Sequence, residues 1–572
     1  MNKLPPELYD EIIDWTEESK KTKYTNWKTK LARYAPISRM WKESVERRTF
    51  KKLTVHSNAL IEFADMFRGA NVIRRQALGS LFIRFIFPNP PDLSGCCVVT
   101  RVPDRNVESW VFTLSVRKLF IILSDLEQRL GNPLPISLCF VNASRRSYQF
   151  NKHDGYGVHL FRCKNHARSD IQEARATSGK YELYGLPMPA LEAVHRFQFW
   201  SGRLLEKLKP TWVPTIMQNL QNLEFVEMLE GDEYEMGRRL RLQHRQGTIS
   251  PVSMLFYLIR TDMSRSLVSL PRDTLVEFQF RFDHDELKHD GCNPHELVAP
   301  GMWREEFWSR LIRHLADYPH LRTLHCGRWM VVCPEFFLNL TEKRGLCFPS
   351  LEELVLKVAT ETADGNWFFD RDEELFAKET VNPRWEDFWC DHNGNMRMEI
   401  NLNYDMEVFE DYPRPENYLR ADRFRTKPNQ KLFGSFLRDA SRAFRRLEKI
   451  RKFVILMPNG DKFIYPFLHK YFELWWIKSG ITRPIQDEYY QDVVQEKHRQ
   501  VADEKLYLQR DRLYWRTGDW TPWIEVQEAW KAAAPGAKIL HMPKNPYYNM
   551  AIEPPDSDSD QTGAAYPTSW DR

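Results

Sequence analysis

Glycine is scarce in this chain, 24 among 572 residues. None sits in a Gly-x-Gly-x-x-Gly or Gly-Lys-Ser/Thr arrangement, so the turn that cradles phosphates in nucleotide-binding proteins is missing. No Gly-x-Ser-x-Gly turn is present to lift a nucleophilic serine from a sheet. No apolar run is long enough to span a bilayer, and the first helix is too polar for a signal peptide. Charge of one sign is not in excess either. Eighty-two Lys and Arg stand against 78 Asp and Glu, a net charge of +4, which argues against a dedicated nucleic-acid binder with its clustered basic surplus. The nine cysteines are odd in number and irregular in spacing. They are expected as reduced thiols in cytoplasm or nucleus, mostly serving as small buried apolar residues.

What the chain does have is apolar and aromatic surface. Hydrophobic residues make up 42%, with 19 Trp and 35 Phe, enough for a sizeable core. The length suggests about three domains or one long repeat-like array. Strand-like segments recur at Lys52–His56, Leu81–Phe87, Ile136–Val141, Val194–Trp200, Leu223–Met228, Leu275–Phe282, Leu321–Cys326, Leu351–Val358 and Phe453–Met457. Between them lie helical patterns at Asn58–Phe67, Val111–Leu130, Arg203–Asn219, Pro251–Met263, Arg304–Ala316 and Leu432–Leu447. Strand alternating with helix predicts an α/β fold with parallel strands.

Several strands open alike. Leu220-Gln221-Asn222-Leu223-Glu224-Phe225-Val226, Tyr318-Pro319-His320-Leu321-Arg322-Thr323-Leu324 and Phe348-Pro349-Ser350-Leu351-Glu352-Glu353-Leu354 share a Leu-x-x-Leu or Leu-x-x-Val phrase after a short polar step. The phrase resembles the strand opening of leucine-rich repeats, although the spacing is longer and less even than their regular 20–29 residues. The expectation is a degenerate, insertion-laden solenoid. An irregular α/β domain without a true repeat is the alternative.

The first fifty residues read as three short helices. Leu8, Ile12 and Trp15 fall on one helical face. Pro36 is placed to start the third helix, with Ile37, Met40, Trp41, Ser44 and Val45 as its stripe. A lysine-rich gap containing Lys20, Lys21, Lys23, Lys28 and Lys30 lies between. A unit this small has little core of its own and needs the remaining chain or a partner to cover it.

Leu4-Pro5-x-Glu7-Leu8, Ile12-Ile13 and Ile37-Ser38-Arg39-x-Trp41 resemble an F-box. The long basic gap and the proline before Ile37 depart from that pattern. The resemblance implies docking on a Skp-type adaptor and, through it, a cullin ubiquitin ligase, with Leu4, Pro5, Leu8, Ile12, Ile37 and Trp41 facing the adaptor. An ordinary helical cap on a larger domain is the alternative. Trp367-Phe368-Phe369-Asp370, Phe424-Arg425-Thr426-x-Pro428, Phe472-Glu473-Leu474-Trp475 and Tyr514-Trp515-Arg516 follow in the order found in a large group of filamentous-fungal F-box proteins, which these phrases resemble.

The expected organisation is an F-box at 1–50, a leucine-rich-repeat-like array at 51–460, a C-terminal capping module at 461–542 and a disordered tail at 543–572. Two insertions are expected in the array, near 142–180 and 364–424, the second aromatic enough to pack in part. Phe472–Ile477 reads as a strand. Leu513–Trp520 reads as another, which Trp523 and Trp530 continue.

Candidate chemistry is sparse. His284, Asp285, His289, Cys292 and His295 lie close together but lack the paired Cys-x-x-Cys arms of a zinc site, and are read as a polar loop. Cys390 with His392 is a weaker version of the same pattern. The basic run Arg442–Lys452 reads as a solvated helix face opposite Phe444, Leu447 and Ile450, with a contact to phosphate or an acidic degron as the alternative. Serines in Asp556–Asp560 are candidates for phosphorylation. Together these readings point to a non-enzymatic substrate receptor without metal or cofactor. It would join a Skp-type adaptor and cullin ligase to an unidentified protein target, with no nucleic acid or membrane partner. An F-box-like scaffold without ligase activity and an enzyme using the His284–His295 loop are the rivals.

Overall fold

A computed structural model describes residues 8, 11–12, 34–87, 105–130, 134–145, 183–201, 212–230, 267, 269–282, 307–342, 347–374, 425, 427–457, 472–481, 510–517 and 520–541. The fold is mixed α/β around one large, mostly parallel sheet. Its first nine strands are β1 (Lys52–His56), β2 (Ser80–Phe87), β3 (Ile136–Arg145), β4 (Val194–Ser201), β5 (Phe225–Glu230), β6 (Glu277–Phe282), β7 (Thr323–Val332), β8 (Glu353–Thr362) and β11 (Lys452–Met457). They lie side by side in chain order, every neighbouring pair parallel. A separate two-stranded piece, β9 (Phe369–Asp370) with β10 (Lys427–Pro428), sits between β8 and β11 in the chain.

The C-terminal strands extend the same sheet. β12 (Phe472–Ile477) runs antiparallel to β11 and to β13 (Arg512–Arg516), and β14 (Lys538–His541) closes the row parallel to β13. Eight helices are described: α1 (Arg39–Lys51), α2 (Leu60–Asp65), α3 (Arg105–Leu130), α4 (Trp212–Met217), α5 (Phe307–Leu315), α6 (Phe336–Glu342), α7 (Leu432–Phe444) and α8 (Ile524–Ala533). All eight feed one continuous core. Phe50, Phe63, Phe112, Trp212, Leu311, Phe337, Phe436 and Trp530 join it from the helices, and Leu81, Phe140, Phe197, Phe278, Leu354, Phe453, Leu474 and Trp515 from the strands.

Alternation of side chains gives the sheet two different faces. On β8, Leu354, Leu356 and Val358 turn into the helix-covered core while Glu353 and Lys357 do not; on β11, Phe453, Ile455 and Met457 do the same. The opposite, outer face carries Ser137, Arg196, Phe225, Glu277, Thr323, Glu353 and Lys452 in register on successive strands.

The predicted strands are present, with shifted starts in the middle of the sheet. Leu223, Leu275, Leu321 and Leu351 are buried as expected, yet the ladder begins two residues later in each case. The cause is a shared acceptor. The N–H groups of Val276 and Glu277 both donate to Glu224 O, those of Arg322 and Thr323 to Val276 O, and those of Glu352 and Glu353 to Arg322 O. Regular parallel pairing starts only beyond that convergence.

Other expectations are corrected. Pro36 does not start a helix: Ile37 N–H closes a turn onto Tyr34 O, and Ser38 is the N-cap, its hydroxyl accepting from Trp41 N–H. An extended Ser38 with a side-chain acceptor suits that boundary, so Ile37 precedes the helix. Strand β3 runs to Arg145, so the first insertion does not begin at Asn142. Trp523 and Trp530 do not continue a strand. Trp523 caps α8, and Trp530 on that helix donates from Nε1 to Leu437 O at 3.0 Å. The basic run is not one helix face: α7 ends at Phe444, and Lys452 is buried at the start of β11. Trp367, Phe368 and Phe369 are buried, as their aromatic character suggested. The helix expected at Pro251–Met263, the His284–His295 loop, Cys390 with His392 and the tail beyond 541 lie outside the described residues.

Candidate functional site

Three surfaces of the described residues gather polar or apolar side chains. The first is the N-terminal unit. Leu4 and Pro5 lie outside the described residues. Leu8, Ile12 and Ile37 are 39%, 41% and 53% exposed and join none of the apolar clusters of the described residues. Trp41 differs from them. It is half-buried and packs with Val45, Tyr34 and Ala35, its ring 5.8 Å from that of Tyr34.

Behind this unit α1 is tied to the sheet. Phe50 enters the main core against Phe67, ring centroids 5.7 Å apart. Glu46 accepts from Arg74 Nη2 at 2.7 Å, and the same guanidinium lies 5.1 Å from the centre of the Phe50 ring. Arg74 belongs to a 3-10 helix over Gly69–Ala77, just ahead of β2. The chain then passes from Lys51 of α1 directly into β1. No flexible linker separates the two.

The second surface is the outer face of the sheet. Ser137 Oγ donates to Gln198 Oε1 at 3.2 Å, and Gln198 Nε2 donates to Glu227 Oε2 at 2.7 Å. The Arg196 guanidinium covers the Phe225 ring at 3.8 Å. Farther along, Glu353 Oε1 meets both His325 Nε2 at 2.9 Å and Lys452 Nζ at 2.6 Å. Burial alone would raise the Glu353 carboxyl, but hydrogen bonds and charge from His325 and Lys452 outweigh it and pull it down to about 2. Beyond Lys452 the face turns apolar, with Val355, Val454, Trp475 and Ile477 buried together and Leu456, Ile481 and Tyr514 against them.

The third surface lies at the leading ends of β4 to β7. His195, Asn222, Glu224, Thr274, Val276, His320 and Arg322 line a cleft of about 270 Å³. His195 Nδ1 and Glu224 Oε1 are 3.1 Å apart. Reading the sequence singled out the phrases that supply four of these residues, but for their leucines. The cleft was missed because its members come from strands far apart in the chain.

Among the described residues no group of three or more His, Cys, Asp or Glu is placed to hold a metal ion, and no helix is long and apolar enough to cross a membrane. Cys139, Cys326 and Cys333 are buried and Cys347 is exposed, all as free thiols. Burial pushes the Cys326 thiol up, away from the reactive thiolate. Comparison with known protein families, with characterised proteins and with solved structures finds no match to this chain.

Proposed function

We propose that this chain is the substrate-recognition subunit of a Skp–cullin–F-box ubiquitin ligase. In this reading residues 1–50 are the F-box, and Leu4, Pro5, Leu8, Ile12, Ile37 and Trp41 meet a Skp-type adaptor. The strands that follow form a degenerate leucine-rich-repeat-like solenoid, capped by the aromatic C-terminal strands, and its outer face and strand ends meet a protein target. The observation that carries the proposal is the exposure of Leu8, Ile12 and Ile37 ahead of a helix that is itself firmly packed. A contiguous uncovered apolar patch marks a surface that a partner uses, and in this reading Leu8, Ile12 and Ile37 form one. Strands laid parallel in chain order support the repeat-like reading, and the F-box reading rests further on the sequence resemblance. The role assigned is binding, without catalysis in this chain.

Co-expression with a Skp-type adaptor tests it. Burying one large apolar side chain contributes about 1.5–3 kcal/mol, so Ile12→Asp and Ile37→Asp are each expected to weaken capture about tenfold or more. Both variants should melt at the wild-type temperature. Full capture by both, in folded protein, would sink the reading. Co-purification of a cullin separates the ligase subunit from a scaffold that binds partners without ligase activity.

A further inference from the structure

Three successive strands open in the same way. Asn222-Leu223-Glu224, Thr274-Leu275-Val276 and His320-Leu321-Arg322 each set a leucine between two other residues. All three leucines are fully buried. Alternate side chains of extended backbone leave on opposite sides, so the two flanking residues of each phrase share the side away from the core. Backbone bonds hold the phrases in register: Val276 N–H donates to Glu224 O at 2.8 Å, and Arg322 N–H to Val276 O at 2.7 Å. The six flanking side chains, with His195 from β4, line the cleft.

The two ends of the cleft differ in what they have left to offer. At the β5 end the polar groups are committed. Glu224 is paired with His195, the Asn222 amide donates to Glu192 O at 3.0 Å, and the Thr274 hydroxyl donates to Leu223 O at 2.7 Å. At the β7 end stand Arg322 and His320, both exposed. The described carboxylate beside Arg322 is Glu352, 3.9 Å away, and that carboxylate is closer to Arg451, at 3.2 Å. His320 has no hydrogen-bond partner among the described residues. A guanidinium whose described carboxylate partner is 3.9 Å away, and an imidazole two residues from it lining the same cleft, suit an oxygen-rich anion. Glu224 lies two strands from Arg322, roughly 10 Å at the usual interstrand spacing, where salt screens much of its repulsion.

We propose that the β7 end of this cleft is an oxyanion site, in which Arg322 and His320 hold a carboxylate or phosphate group. The site stands apart from the N-terminal unit, and its existence does not depend on adaptor binding. The test uses the full chain labelled with carbon-13 at the histidine rings, titrated at constant ionic strength with inorganic phosphate and separately with acetate. The His320 signal is identified by its loss in His320→Gln. A saturable shift of that signal is expected, weakened about tenfold in Arg322→Gln as a charge-assisted contact is removed. It should be unchanged in Arg438→Gln, which deletes the same charge from an exposed position on α7, outside the cleft and away from Glu352. Saturation by phosphate alone, by acetate alone or by both supports the site and names the group it takes. No saturation by either anion, or equal weakening in Arg438→Gln, overturns it.

Discussion

Lys452 Nζ stands 2.6 Å from Glu353 Oε1, an ion pair between residues 99 apart in sequence and opposite each other in the β8–β11 pairing. The lysine side chain is only 4% exposed. Removing one partner of such a pair is costly because the other charge stays buried. Glu353→Gln is therefore expected to destabilise the protein by about 3 kcal/mol, measured by denaturant titration. Glu353→Leu combined with Lys452→Met should cost much less than the two single changes added together.

The same pair has a pH signature. The folded-state value of Glu353, about 2, lies below the ordinary 4.5. Its contribution is therefore complete above 4.5 and is lost as pH falls toward 2. It is of order 2 kcal/mol after allowance for solvent screening. Thermal melts across that window should show a stability loss in the wild type that is smaller in Glu353→Gln. Parallel curves would remove the assignment.

Glu46 and Arg74 clamp α1 onto the 3-10 helix ahead of β2. Arg74→Ala removes the ion pair and the contact over Phe50, a loss of about 1–2 kcal/mol for a partly buried pair. Hydrogen exchange should accelerate over residues 39–51 while β6 to β8 keep their protection. Uniform acceleration throughout the sheet would mean that α1 does not open separately.

Gly327 and Gly480 both have φ near +80°, but only Gly327 is crowded. A Cβ there would lie 2.6 Å from Lys357 O and closer still to Met330 Cγ, whereas Gly480 has open space. Gly480→Ala is expected to cost about 1 kcal/mol for the left-handed backbone alone. Gly327→Ala should cost about 3 kcal/mol or more, since the carbonyl contact adds overpacking. Equal melting temperatures of the two variants would contradict this.

Ending the chain at Asp461 would uncover β11 along its length and remove Trp530, whose ring lies against Phe444 and Phe453. An apolar strand edge left bare is an aggregation site. The truncated chain should be insoluble, and a soluble fragment with a single cooperative unfolding transition would show that the C-terminal strands are dispensable.

Much of the sheet was legible in the residues because strand burial repeats over two positions and needs no distant information. Lys52–His56 and Phe472–Ile477 have the expected bounds, and Leu223, Leu275, Leu321 and Leu351 are buried as read. Tryptophan has no such local signature. Trp515 and Trp530 are both fully buried, one on a strand and one on a helix, and only the surrounding aromatics distinguish their settings. Strand β14 and helix α6 were missed for the related reason that short segments carry too few turns of pattern to be read alone.

The sequence by itself determined which residues turn inward and that strands alternate with helices, because burial of apolar side chains follows the local period of the backbone. Tertiary structure alone decided which polar residues meet. Glu46 with Arg74, His195 with Glu224, and Glu353 with His325 and Lys452 are separated by 28 to 99 residues, and nothing in a charged side chain's neighbours along the chain names its partner. The cleft of His195, Glu224, His320 and Arg322 is a product of that same register. Hydrogen bonds between strands, set by the packing of leucines beneath them, bring side chains from four separate stretches to one edge.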